Sequence, residues 1–389
     1  LGRYVPPLAF LGGVPPDEPW LRTAARAIER PSSMSESTPN RFITQIPEPG
    51  RANRITDVAG LRIGSAHDPA ARTGVTVVLP DQPVVAAVDQ RGGGPGTRET
   101  DLLDPVNTVE AIHALVLSGG SAFGLEAAGG VTRWLAARGA GFPVGEARVP
   151  IVPSAILFDL LNGGDKAWGE GPPYMALGQA ACDDALAAGP NHALGNAGAG
   201  YGATAGPLKG GLGGASLVMP GTMPEDPPFT VGALAAVNSM GSPLMGDGPA
   251  FWAWPWAVGD ELGPLARPPA ETQAPGPSDF AFTLPERANT TLVVVATDLT
   301  LTKAQAGRVA IMAQDGLARA LRPAHSPLDG DTVFALATGR VPLGDNPLAT
   351  LGRCGMAAAD CVARAIARGV YEAGSLGSWT GYRDRFGLP

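Results

Sequence analysis

The sequence predicts a mixed α/β (α+β) domain, a four-layer αββα sandwich in which mostly antiparallel strands are flanked by helices. Three observations predict it. Apolar runs at 75–79, 84–88 and 292–295 are short, β-branched and bounded by turn residues, which is the pattern of strands. Segments 302–321 and 351–373 carry apolar residues at helical spacing. Gly (54) and Pro (39) are abundant while aromatics are 6%, a mix that suits many tight turns around small-residue packing.

Taken in order, residues 1–45 are expected to be a poorly ordered extension with one amphipathic helix near 20–29, because the Ser/Pro/Asn-rich stretch 31–40 cannot bury itself. Pro6, Pro7, Pro15 and Pro16 break any signal-peptide core, so a cytoplasmic location is expected and Met34 reads as a natural start. The runs 75–79 and 84–88, joined by Pro-Asp-Gln-Pro, predict a hairpin. Residues 108–117 lead through Ser118-Gly119-Gly120-Ser121 into an Ala/Leu-rich helix ending near 137, and a second helix is expected at 174–188. Strands follow near 215–219 and 229–238, then a Pro/Gly-rich loop at 239–288. After it the order is strand 290–297, helix 302–321, strand 332–338 and helix 351–373.

Several function classes are excluded by composition and spacing. A net charge of −8 from scattered acids leaves no basic stripe, so no nucleic-acid partner is expected. No apolar run reaches the ~18 residues of a membrane span, so no membrane partner is expected either. Cys182, Cys354 and Cys361 lack CxxC spacing and suit neither a disulfide framework nor zinc. The loop at 118–124 is neither GxGxxG nor GxSxG, and Arg91 to Thr97 lacks the lysine of a phosphate loop. The four histidines form no HExxH pair, and a His325/Asp329/Asp331 triplet suits a hydrogen-bonded loop better than a metal; no metal and no cofactor are expected.

What remains is Asn289-Thr290-Thr291 ahead of a strongly apolar strand. Alone, two threonines at a strand start mean little. Together with Gly92-Gly93-Gly94, the LSGGSAFGLEAAGGV segment at 117–131, the glycine run 198–206 followed by Lys209, Val231-Gly232, Val237-Asn238 and Asp329-Gly330-Asp331-Thr332, they resemble the P1 (DmpA-like) peptidase family over roughly residues 55–375. Asn-Thr-Thr with Asp-Gly-Asp looks most like the branch that hydrolyses nylon (6-aminohexanoate) oligomers; the β-aminopeptidase branch typically has Gly-Ser at the scissile bond.

The resemblance implies a sandwich of the DmpA and ornithine-acetyltransferase-like, N-terminal-nucleophile type, cut at Asn289–Thr290 into a large part, 46–289, and a small part, 290–389, of one catalytic domain. It implies Thr290 as nucleophile, Lys209 as a nearby cation, Asn238 as donor to the nucleophile or oxyanion, and Asp329 and Asp331 as carboxylates that orient the Thr290 amine and receive a substrate amine. It also implies small peptide or oligoamide substrates and self-association of processed heterodimers into a tetramer. One position departs from the family: Phe158 stands where a tyrosine is usual, so an oxyanion-stabilising hydroxyl is missing. Gly119, Gly120 and Ser121 suit a tight strand-to-helix connection, with backbone amides near the site as the sharper alternative.

The chemistry accounts for these residue types. A threonine hydroxyl is a poor nucleophile without a base, and a chain-terminal threonine carries one in its own α-amine, with an ordinary pKa of about 7.7–8.0. Before the cut, the same hydroxyl can attack the preceding carbonyl to give an ester that water hydrolyses. Two other readings stay open: an acyltransferase of the ornithine-acetyltransferase kind, and an unprocessed, non-catalytic homologue. The alternating tryptophans 252, 254 and 256 would share one face of an extended segment, as packing or as an apolar lip for substrate.

Overall fold

A computed structural model describes residues 46–221, 225–271 and 289–389. The extension at 1–45, its expected helix near 20–29, and positions 272–288 of the expected loop lie outside the described residues. The strands are β1 (Leu61–Asp68), β2 (Thr73–Pro80), β3 (Val85–Gln90), β4 (Gly96–Arg98), β5 (Leu115–Ser118), β6 (Phe142–Val144), β7 (Ala147–Val149), β8 (Ser154–Ile156), β9 (Thr204–Ala205), β10 (Leu208–Lys209), β11 (Gly211–Met219), β12 (Phe229–Asn238), β13 (Thr290–Leu299) and β14 (Thr332–Val341). The helices are α1 (Glu126–Ala136), α2 (Tyr174–Ala187), α3 (Lys303–Ala320), α4 (Pro347–Tyr371) and the short α5 (Tyr382–Phe386).

Two five-stranded sheets carry the fold, in the orders β1-β2-β5-β8-β4 and β11-β12-β13-β14-β3. Alternate residues explain why they stack. Along β13, Leu292, Val294 and Ala296 join Ile63, Val78, Leu115 and Leu117 of the first sheet in one buried cluster. Val293 and Val295 point the other way, into a cluster with Val309, Ala313, Ala358 and Ile366 of α3 and α4. The first sheet does the same: Val75, Val77 and Val116 pack on Ala127 and Val131 of α1 and Ala181 of α2. Helices outside and two sheets inside make the αββα sandwich, and strands buried on both faces read as unbroken apolar runs.

Small residues set the layer spacing. A Cβ at Gly213 of β11 would collide with the Ala365 carbonyl and the Gly369 amide of α4, so only glycine lets that helix lie so close to the sheet. Within the second sheet β13 and β14 are parallel, joined by the α3 crossover, while their outer neighbours β12 and β3 run antiparallel to them.

The expected hairpin at 75–88 is corrected. β2 pairs with β1 and β5, whereas β3 pairs with β14 in the other sheet. Residues of β2 and β3 pack in different layers, Val75 and Val77 against α1 and α2 and Ala87 against the α3 and α4 side, so the chain changes sheet between Pro80 and Pro83. The tryptophans are also not extended: Trp254–Trp256 is a 3₁₀ turn, and Trp252, Trp254 and Trp256 each carry a different arginine over the ring, Arg322, Arg267 and Arg319 respectively. Among the described residues no helix is long and apolar enough to cross a membrane.

Candidate active site

The site begins where β12 ends and β13 starts. Their antiparallel register sets Asn238 opposite Thr290. Thr290 is 3% exposed, and its hydroxyl donates to the carbonyl oxygen of Asn289 at 2.5 Å. The neighbouring segment grips Asn289 as a strand would: the Asn289 N–H donates to Leu328 O at 3.2 Å, and the Gly330 N–H donates to Asn289 O at 2.8 Å. The bond between Asn289 and Thr290 is therefore bracketed by β12 on one side and by 328–330 on the other.

The two aspartates divide their partners. Asp331 Oδ1 accepts the Thr291 N–H at 2.8 Å, and its Oδ2 accepts the His325 N–H at 2.9 Å and lies 3.0 Å from His325 Nδ1. Asp329 accepts from Ser326 N–H at 2.9 Å and from Met240 N–H at 3.4 Å. Burial, and then the Asp331 charge, push the Asp329 carboxyl above its usual range. Both acids thus hold the backbone around Thr290, Asp331 through the residue next to it.

Asn238 joins three pieces. Its Oδ1 accepts the Thr204 N–H at 2.9 Å and its Nδ2 donates to Phe158 O at 3.0 Å, leaving the second amide hydrogen for another acceptor. Lys209 stands one link further back, paired with Thr204 across β9 and β10. Its ammonium is buried and donates to Gly200 O at 3.0 Å and Gly210 O at 2.7 Å. Burial pushes its pKa down from 10.5 to about 7, with the Asp159 charge opposing the shift.

A narrow pocket opens on these groups, lined by Phe158, Asp159, Asn162, Thr204, Asn238 and Asn289 among others. The amides of the 119–121 loop are already engaged: Gly119 donates to Gly74 O, Gly120 to Asp159 Oδ1 at 2.8 Å, and Ser121 to Leu157 O. Gly120 has φ +86°, a left-handed conformation that suits the tight strand-to-helix turn. This loop supports the pocket wall through Asp159.

Sequence reasoning named Thr290, Asn289, Asn238, Asp329 and Asp331, which cluster, and Lys209 and Phe158, which join them through Thr204 and Asn238. It missed Asp159, Thr204 and the Gly330 amide. Asp159, 2% exposed with its carboxyl raised by burial, had one signal, an acid closing the apolar run 155–158. Among the described residues no group of three or more His, Cys, Asp or Glu is placed to hold a metal ion.

Comparisons with known proteins give the family and the fold. The chain is 47% identical over 358 residues to an uncharacterized aminopeptidase of Mycobacterium bovis, covering 86% of this chain and 98% of that one. It is 28% identical over 318 residues to the 6-aminohexanoate-oligomer endohydrolase of a Kocuria strain, covering 78% and 80%. Its fold matches the L-aminopeptidase D-Ala-esterase/amidase of Ochrobactrum anthropi, a variant of the Ntn hydrolase fold, with a TM-score of 0.64 at 24% identity over 88% and 91% of the two chains. The model of peptidase family S58 matches residues 53–383, so the chain belongs to that family and is a hydrolase of amide bonds.

Proposed function

We propose that this peptidase cuts its own Asn289–Thr290 bond and then uses the exposed Thr290 to hydrolyse amides of small peptides or of β- and ω-amino acid oligomers, 6-aminohexanoate oligomers included. One observation carries the reading: the Thr290 hydroxyl lies 2.5 Å from the oxygen of the carbonyl it would attack, in a buried setting. The aminopeptidase and endohydrolase relatives support the substrate class.

In the uncut chain the Thr290 nitrogen is an amide and cannot act as base. Lys209, pushed to about 7 by burial, supplies a neutral amine near physiological pH, and Thr204 and Asn238 relate it to Thr290. After the cut the α-amine of Thr290 takes over as base, with Asp331 holding the adjacent Thr291 N–H. Processed 1–289 and 290–389 pairs assemble further into a tetramer, which light scattering would read directly.

Intact-mass measurement with N-terminal sequencing tests the reading. The expected result is a second N-terminus reading Thr-Thr-Leu-Val; Thr290→Ala should stay one chain with no amidase activity, and Thr290→Ser should still process. A single uncut wild-type chain that nevertheless hydrolyses amides would overturn it.

A further inference from the structure

Resting on the self-processing reading, we propose that the backbone N–H of Gly330 is an oxyanion donor used twice: on the Asn289 carbonyl during self-cleavage, and on the substrate's acyl carbonyl during turnover. The first use is visible in the geometry. Gly330 N lies 2.8 Å from Asn289 O. An effective oxyanion donor sits about 2.7–3.1 Å from the oxygen that will carry the charge.

The donor is fixed before any charge develops. Gly330 N–H and Asp329 C=O belong to one peptide group, and Gly94 N–H donates to that carbonyl at 2.8 Å. A peptide whose oxygen is hydrogen-bonded is a better N–H donor, because the two bonds polarise the same amide. The next two peptides are pinned as well: the Thr332 hydroxyl donates to Gly330 O at 2.9 Å, and Arg91 and Gly92 N–H donate to Asp331 O at 3.0 and 3.2 Å. Nothing has to reorganise when the oxyanion forms.

The residue type follows from space. A Cβ at position 330 would stand 2.5 Å from Thr290 Oγ1 and 2.9 Å from Gly94 O. A side chain there would displace the nucleophile, so the donor has to come from a glycine.

Reuse follows from the bonds. In self-cleavage the Thr290 oxygen bonds to the Asn289 carbonyl carbon, the carbon–nitrogen bond breaks, and the hydroxyl proton ends on the Thr290 nitrogen. The product is an Asn289 ester on Oγ1. Water then adds, releasing the Asn289 carboxyl and restoring the hydroxyl. In turnover the substrate's acyl carbon bonds to the same Oγ1, its amine leaves with the proton, and water again cleaves the ester. Both esters hang from one oxygen, so one N–H faces both carbonyls.

The test replaces that N–H by an oxygen, which also weakens the Asp329 carbonyl as an acceptor for Gly94 N–H. Nonsense suppression with glycolic acid at position 330 of the full-length chain turns the 329–330 amide into an ester. A matching variant at Gly93, whose N–H donates to Ser326 O at 3.2 Å, loosens the same loop without touching the 329–330 peptide. The expected result is self-cleavage slowed by about 10²-fold or more at position 330 and by no more than about threefold at position 93. Molecules of the 330 variant that do become cut should show a lower kcat with little change in KM, since the donor acts on the transition state. Wild-type rates in the 330 variant, or an equal loss at position 93, would overturn the proposal while leaving self-processing intact. A wild type that stays uncut in the same preparations would instead remove the reading on which it rests.

Discussion

Lys209 is the residue whose chemistry the structure changes most. In the sequence it reads as a cation beside the nucleophile; in the fold its burial makes the neutral form accessible near pH 7. If that neutral amine receives the Thr290 proton, self-cleavage should rise with pH through about 7 and level off above it. Lys209→Met should lose the rising limb and slow the cut by about 10²-fold or more. A pH series of pulse-labelled, freshly made chain on a denaturing gel measures both. Stability carries the opposite test of the same shift. Between about 7 and 10.5 the unfolded chain holds a proton that the folded chain has shed, so the stability contributed by this group rises with pH. Denaturation midpoints of wild type and Lys209→Met should therefore converge differently across that window, and parallel curves would argue against a depressed lysine.

At the scale of elements, the end of β12 is where packing and chemistry meet. Asn238 closes the strand, faces Thr290, and bonds two segments from elsewhere in the chain, Thr204 and Phe158. Asn238→Ala strands the buried Thr204 N–H, which should cost about 1–3 kcal/mol of stability and slow self-cleavage. Asn238→Asp keeps the acceptor for Thr204 but sets a carboxylate oxygen against the Phe158 carbonyl, so it should process no better. Urea midpoints with gel-based cutting rates check both, and wild-type cutting in the alanine variant would take Asn238 out of the site.

Much of this architecture is legible from residues alone, for identifiable reasons. β13, β14, α3 and α4 are long enough for their periods to show, and β12 ends where its apolar run gives way to Asn238. β4 and β6 to β10 are two or three residues each, too short for any alternation to register. Pairing partners are less legible still. β2 and β3 are adjacent in sequence and lie in different sheets, a choice made by tertiary packing on both faces rather than by the turn between them. In the site, Thr290, Lys209, Asn238 and the paired aspartates are legible through their order along the chain, which resembles the family, and not from any one of them alone. The Gly330 amide leaves no such mark, because every residue except proline carries the same group.

Across the whole molecule, segments on either side of Asn289–Thr290 are interleaved rather than adjacent. β13 and β14 lie between β12 and β3, so the proposed small part is inserted into a sheet whose flanks belong to the large part. A buried ion pair adds to this: Arg364 of α4 bonds both oxygens of Glu261, at 2.7 and 2.9 Å, and reaches Asn53 Oδ1 at 2.8 Å and Ser216 O at 2.9 Å. Processed fragments should accordingly co-elute under native conditions and separate only in denaturant. Glu261→Ala leaves the Arg364 charge buried without its partner and should cost about 3–5 kcal/mol, read as a lower urea midpoint for unfolding of the uncut Thr290→Ala chain. Replacing both residues by apolar ones of similar size should recover most of that loss.

The grip of residues 328–330 on Asn289 also sets a clock. The bond and the amide that polarises it are about forty positions apart in the order of synthesis, with the whole of α3 between them. A ribosome that has reached residue 320 has already made the threonine and the carbonyl it would attack, yet the loop that holds them has still to emerge. If the chain cuts itself as proposed, scission has to wait for translation to pass Gly330 and for α3 to dock, so that a break in the chain would report that residues 328–330 have folded back beside Asn289.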